Sequence, residues 1–155
     1  MTTVETHIII QAPIEKVRSI FRDYKSYSKW NPFFVSFQKY TNKQVQDLNQ
    51  GDELQIDIKL KGMNHTSTIY PKILKSEENL IEWKGIMLNE WIFTGIHKFE
   101  LKSIDNNTRT VFSQSEQFSG LLVIIFKLFG LYNKTQESFI EFNEALKDQA
   151  ENNQD

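Results

Sequence analysis

His97 and Glu116 are the residues of this sequence best suited to proton chemistry, because each falls among apolar side chains on one face of an extended segment. In Glu90–Lys102, strand alternation puts Trp91, Phe93, Gly95, His97, Phe99 and Leu101 on one face, and Ile92, Thr94, Ile96, Lys98 and Glu100 on the other. In Thr108–Phe118, Phe112, Gln114, Glu116 and Phe118 share a face; in Leu80–Ile86, Ile81 and Trp83 oppose Glu82 and Lys84. If the three apolar faces meet, they enclose an aromatic-walled space holding one imidazole and one carboxyl group. Burial raises a carboxyl pKa, and a neighbouring imidazole completes an acid/base pair. The same residues could instead satisfy one another, or hydrogen-bond a ligand without chemistry.

Other chemistries find little support. His7, His65 and His97 show no i, i+4 pairing and no carboxylate at ligand spacing, and the chain has no Cys, so no metal site, thiol nucleophile or disulfide is expected. There is no Gly-x-Ser-x-Gly elbow, phosphate loop or dinucleotide fingerprint, and no cofactor is implied.

The elements that must hold His97 and Glu116 follow from periodicity. Thr3–Gln11 reads as a first strand. Pro13 then opens a helix with Ile14, Val17, Ile20 and Phe21 at helical spacing, and a second short helix, Tyr24–Lys29, stops before Asn31-Pro32. Strands follow at Phe34–Thr41, Asp52–Lys61, His65–Leu74, Leu80–Ile86, Glu90–Lys102 and Thr108–Phe118, with turns at Asn49–Asp52, Lys61–Asn64, Ser76–Asn79 and Asp105–Asn107. After Gly120 a single long helix runs from Leu121 to Gln149, with Ile125, Leu128, Tyr132, Thr135, Phe139, Phe142 and Leu146 along one stripe. A helix of that length needs a large curved antiparallel sheet to cover, and sheet and helix can leave a cavity between them.

At 155 residues the chain suits one domain, 1–150, with a polar tail at 151–155. Its net charge is −2, which gives no general attraction to nucleic acid. Residues 1–75 carry 11 basic against 7 acidic residues and 76–155 carry 7 against 13. Lys16, Arg18, Arg22, Lys25 and Lys29 offer a weak anion-attracting patch or, with Glu15 and Asp23 among them, an ordinary solvated helix face. No basic n-region precedes Ile8–Ile10, and the longest nearly apolar stretch, Leu121–Tyr132, is far short of the ~20 residues that span a bilayer. The expectation is a cytoplasmic protein without stable membrane insertion. That stretch is apolar nearly all round, which suits burial beside a cavity or transient contact with a membrane or partner.

The order strand, two helices, six strands, helix occurs together with Ala12-Pro13-x-x-x-Val17, Trp30-Asn31-Pro32-Phe33, Trp83-x-Gly85, Gly95-x-His97-x-Phe99, Glu116-x-Phe118-x-Gly120 and Phe142-Asn143-x-Ala145-Leu146-Lys147. This combination resembles the SRPBCC superfamily of START-like, helix-grip proteins, in its polyketide cyclase/dehydrase-like subgroup, over nearly the whole chain. The resemblance implies an α+β helix-grip fold, in which about seven antiparallel strands wrap a long C-terminal helix. It also implies a deep apolar cavity, used by different members for lipids, sterols, hormones, polyketides or chaperone contacts.

The expected function is therefore binding of a small hydrophobic molecule of lipid, sterol or polyketide type, as carrier, sensor or sequestering protein. A metal-free cyclase or dehydratase using His97 and Glu116 is the alternative, and a co-chaperone-like interaction module the third reading. The expected ligand contacts are Trp30, Phe33, Trp83, Trp91, Phe93, His97, Phe99, Phe112, Gln114, Glu116, Phe126 and Tyr132. Neither the ligand nor a protein partner is written in the sequence.

Overall fold

The computed structural model describes residues 1–40 and 45–152. Strand β1 (Thr2–Ile10) leads into α1 (Ile14–Arg22), then a turn of 3-10 helix (Tyr24–Ser26) that runs into α2 (Tyr27–Trp30). Among the described residues there are eight strands: β2 (Phe34–Lys39), β3 (Leu54–Ile58), β4 (Ser67–Ile69), β5 (Lys72–Glu77), β6 (Leu80–Met87), β7 (Phe93–Ile104) and β8 (Arg109–Ser119) follow β1. Helices α3 (Val123–Leu128) and α4 (Leu131–Asn152) complete the chain. The predicted end of β2 at Thr41 lies outside the described residues.

One sheet has the order β1-β8-β7-β6-β5 and the other β2-β3-β4, with the paired strands antiparallel. The expected strand His65–Leu74 is two strands, because Pro71 has no N–H to give a ladder. The chain ahead of Pro71 pairs with β3 and the chain after it with β6. A bridge between Glu53 and Lys72, with Leu54 N donating to Pro71 O at 2.9 Å, carries the curvature from one sheet into the other.

The long helix is also broken. Gly130 takes a left-handed conformation (φ 67°), which suits a residue without Cβ just past a helix end, and separates α3 from α4. Past that break the predicted stripe is partly buried at Tyr132 and buried from there on: Thr135, Phe139, Phe142 and Leu146 are 4% exposed or less. Ahead of it, Ile125 and Leu128 are 47% and 79% exposed. Helix α4 lies along β1 and is pinned at three points, where Tyr132 Oη donates to Thr3 O, Asn143 Nδ2 to Thr6 Oγ1 and Lys147 Nζ to Ile9 O. Helix rise from Tyr132 to Lys147 is about 22 Å and strand rise from Thr3 to Ile9 about 20 Å, so the two backbones keep step. The expected polar tail begins as helix, for Glu151 Oε1 accepts the Gln11 N–H at 2.7 Å.

Aromatic rings fill one end of the space between sheet and helix. Phe21 lies 5.2 Å from Phe99 and 5.3 Å from Phe112, and Phe142 lies 5.7 Å from Phe112. Asn31 directs a further pair into the core: it ends α2 in an extended conformation, and its Oδ1 accepts the N–H groups of Phe33 and Phe34 at 2.9 and 2.8 Å. Of the basic residues near α1, Arg18 pairs with Asn79 and Glu78, and Arg22 donates to the Glu77 and Glu78 carbonyls. These two serve to fasten α1 to the β5–β6 turn.

Candidate functional site

The other end of the same space is open. A cavity of about 420 Å³ lies between β2–β4 on one side, β6–β8 on another, and α3 with the first turns of α4. Its wall is largely apolar, with Phe33, Phe34, Trp83, Phe93, Phe118 and Phe126 among the lining residues. That size and character suit a drug-sized apolar molecule. Two glycines make the room: Gly85 and Gly95 face each other across β6 and β7, and both line the cavity.

A line of buried polar side chains runs from β1 and α4 to the cavity wall. Asn143 Nδ2 donates to Thr6 Oγ1 at 3.1 Å, and Gln114 Nε2 donates to Asn143 Oδ1 at 2.6 Å and to Phe139 O at 3.2 Å. With its amide nitrogen so used, Gln114 presents Oε1 to His97 Nε2 at 3.1 Å. The network therefore assigns the proton to Nε2 and leaves Nδ1 as the unprotonated nitrogen. Cross-strand pairing puts Glu116 directly opposite His97, and Nδ1 is 3.7 Å from Glu116 Oε2.

That separation falls within ion-pair range, but neither group is charged near neutral pH. His97 is 2% exposed, stacked on Phe99 at 4.1 Å and flanked by Phe139 at 4.6 Å. Burial pushes its pKa down to about 3, against a smaller upward pull from the Gln114 hydrogen bond. Burial alone pushes Glu116 up to about 8. Its side chain retains 19% exposure, and it lines the cavity. The result is an uncharged carboxylic acid beside an uncharged imidazole, and the arrangement can donate a proton in a hydrogen bond or hold one in place.

Six of the twelve expected contacts meet in this cavity: Phe33, Trp83, Phe93, His97, Glu116 and Phe126. Phe99, Phe112 and Gln114 occupy the expected face but lie in its filled part, at 0%, 0% and 1% exposure. Trp91 does not belong to β7. Asn89 Oδ1 accepts the Trp91 and Ile92 N–H groups in a turn ahead of the strand, which breaks the alternation and leaves Trp91 84% exposed. Trp30 packs on Tyr27 and Phe142 and borders a separate surface groove with Lys16, Lys29 and Gln149. Tyr132 spends its hydroxyl on β1.

The expected contacts left out Phe34, Gly85, Thr135 and the wall supplied by Ile58, Leu60 and Ile69, and also Gly95, which alternation places on the inward face. The alternation Leu54, Ile56, Ile58, Leu60 signalled that last wall. Nothing in the sequence showed which end of it would stay uncovered. Among the described residues no cluster of three His, Cys, Asp or Glu side chains could hold a metal ion, and no helix is long and apolar enough to cross a membrane.

A family model described as polyketide cyclase / dehydrase and lipid transport matches residues 1–151. The chain belongs to that family. Solved structures with the same architecture include the Zhui aromatase/cyclase from Streptomyces, with TM-score 0.73 at 12% identity over 96% of this chain and 93% of that one. A START superfamily protein from Mycobacterium smegmatis gives 0.64 at 16% identity, covering 96% of both chains. The di-domain ARO/CYC BexL gives 0.68 at 14% identity over 97% of this chain and 50% of that one. At these identities the likeness establishes the helix-grip fold alone. Among curated proteins no sequence match is found.

Proposed function

We propose that this family member binds a small hydrophobic molecule of lipid, sterol or polyketide type in the cavity between sheet and helices, as a carrier, sensor or sequestering protein. The supporting observation is an apolar cavity of about 420 Å³ kept open by two facing glycines in a sheet otherwise packed with aromatics. A cavity-filling variant tests it. A Cβ at Gly85 meets no atom within 4 Å, so Gly85→Phe can put its ring into the cavity without displacing the wall. Wild-type protein should bind an uncharged apolar fluorophore such as N-phenyl-1-naphthylamine at one site, and Gly85→Phe should lose that binding while keeping its cooperative unfolding. Binding that is absent from the wild type, or unchanged in Gly85→Phe, would sink the reading.

A cyclase or dehydratase activity is the second reading. It is favoured by the uncharged Glu116 carboxyl standing 3.7 Å from an unprotonated imidazole nitrogen. In it Glu116 gives and takes the proton and His97, held by Gln114, orients it, since an imidazole with a pKa near 3 is a weak base. An enzyme should keep ligand but lose turnover in Glu116→Gln. A carrier has no turnover to lose.

A further inference from the structure

The carboxyl group of Glu116 accepts and donates no hydrogen bond among the described residues; His97 Nδ1 stands 3.7 Å from its Oε2. The other polar wall groups are occupied or stand at the rim. The Thr68 and Thr135 hydroxyls donate to Asp57 and to the Leu131 carbonyl, while Ser67 and Tyr70 are exposed. Among the described residues no Lys or Arg lines the cavity. The Glu116 carboxyl occupies space that only a glycine leaves it, because a Cβ at Gly95 would stand 2.7 Å from its Oε1. Beside that space the Gly85 position is empty.

Resting on the binding function proposed above, we infer that Glu116 and the Gly85–Gly95 shelf recognise the single polar group of an uncharged, otherwise apolar ligand, an oxygen acceptor of ketone or ester type. The acid hydrogen of Glu116 points at an acceptor that lies over Gly85, and the apolar remainder of the ligand fills the space toward Phe93 and Phe126. A ligand carboxylate finds no cation among the described wall residues and a like group at the shelf, so its charge would be buried without a partner. A ligand ammonium has to ionise Glu116 and strip two charges of water at once. Charge at either sign is thereby selected against, and a lone acceptor is selected for.

Competition against N-phenyl-1-naphthylamine tests this with four compounds of one chain length: undecane, methyl nonyl ketone, undecanoate and undecylamine. Below the value near 8 that burial gives Glu116, the ketone should displace the probe at about a five- to tenfold lower concentration than undecane, the ratio one buried neutral hydrogen bond supplies. Undecanoate and undecylamine should both be weaker than the ketone. Glu116→Leu should bring ketone and undecane together, and Glu116→Gln, which keeps a donor of the same shape, should preserve the preference. Should Glu116→Leu fail to fold, pH serves instead. The wild-type preference should fade as pH rises past 8 and that of Glu116→Gln should not, since among the described residues the remaining titratable wall groups are His97, uncharged throughout that range, and Tyr70 at the rim. Equal displacement by ketone and undecane, a preference that survives Glu116→Leu, or strongest binding by undecylamine or undecanoate would overturn the inference while leaving cavity binding intact. Failure of the probe itself to bind would remove both.

Discussion

Strands β7 and β8 each cross two different environments, and the contrast between them explains where this protein has room for a ligand. Toward one end they contribute the buried Leu101 and the rings of Phe99 and Phe112, which meet Phe21 and Phe142 in a closely packed aromatic block. Toward the other they contribute Gly95, Glu116 and Phe118, and the same inward face borders open space. The helix above changes at the same level. Over the packed end, α4 is continuous and buried; over the open end it gives way at Gly130 to α3, five of whose neighbouring apolar residues (Leu121, Ile124, Ile125, Leu128 and Phe129) are between 47% and 79% exposed. The filled end supplies the stability that lets the other end stay empty, because a dry or solvent-filled void of this size contributes few packing contacts of its own.

The sharpest way to break this comparison is to truncate one ring in each half. Phe142→Ala should lower unfolding free energy by about 3–5 kcal/mol, the usual range for a fully buried Phe, while leaving the affinity for N-phenyl-1-naphthylamine within about twofold if folding is retained. Phe126, which contacts Phe93 and Phe118 at the cavity wall and is only partly buried, should behave the opposite way. Phe126→Ala should cost roughly 1 kcal/mol or less, as partly exposed sites do, but weaken probe binding clearly. Chemical denaturation and probe titration on the two variants suffice; equal losses of stability would mean that the two ends are not distinct.

The polar boundary between the halves should reveal itself in the pH dependence of stability. His97 is held at about 3 against an ordinary 6.5, so its contribution is complete above 6.5 and is lost as pH falls toward 3. Glu116 is held at about 8 against an ordinary 4.5, so its contribution is complete below 4.5 and is lost as pH rises toward 8. Between 4.5 and 6.5 the two slopes oppose and leave a plateau, with a fall on either side of up to about 1.4 kcal/mol per pH unit. Glu116→Gln should abolish the fall from 6.5 to 8 and turn the plateau into a rise. His97→Phe should turn the plateau into a fall. Thermal or denaturant midpoints across this range measure both, and a wild-type profile that keeps rising from 6.5 to 8 would contradict the uncharged acid.

Parity along a strand was legible in the sequence, and depth within the molecule was not. Alternation placed Phe99, Phe112 and Gln114 on the same inward face as Phe93, His97 and Glu116, and all six are where that face lies. Only the fold decides which of them meet Phe21 or Phe142 and which meet a void, because that depends on residues far apart in sequence. Gly85 and Gly95 carry no side chain for a pattern to register, although their pairing across β6 and β7 creates the space. Trp91 and Pro71 show the opposite error: each reads as part of a continuous strand, while the Asn89 side chain and the missing proline N–H interrupt the ladder. The break at Gly130 was visible as a glycine inside a helical pattern, a feature that lowers helix stability by about 1 kcal/mol without dictating a break.

The smallest expected effect, and the most local, concerns α3 as a gate over the open end. Gly120 turns the chain at φ 105°, and a Cβ there would lie 2.5 Å from the Ile92 carbonyl, so the start of the segment is fixed. Leu121 N and Leu122 N donate to the Trp91 and Ile92 carbonyls at 3.0 Å. Beyond those bonds, α3 is a six-residue helix with little intrinsic stability, and Val123 is its one buried side chain. A ligand in the cavity would give Phe126 an apolar partner and make opening of α3 more costly. Backbone hydrogen exchange should therefore be fast across residues 123–130 in the ligand-free protein and slow by a measurable factor when the cavity is filled with methyl nonyl ketone. Residues 139–146 of α4, set in the aromatic block, should exchange slowly in both states. Uniform protection along α3 and α4 without ligand would show that the break at Gly130 separates two rigid pieces, and ligand passage would then have to occur past the exposed β6–β7 turn.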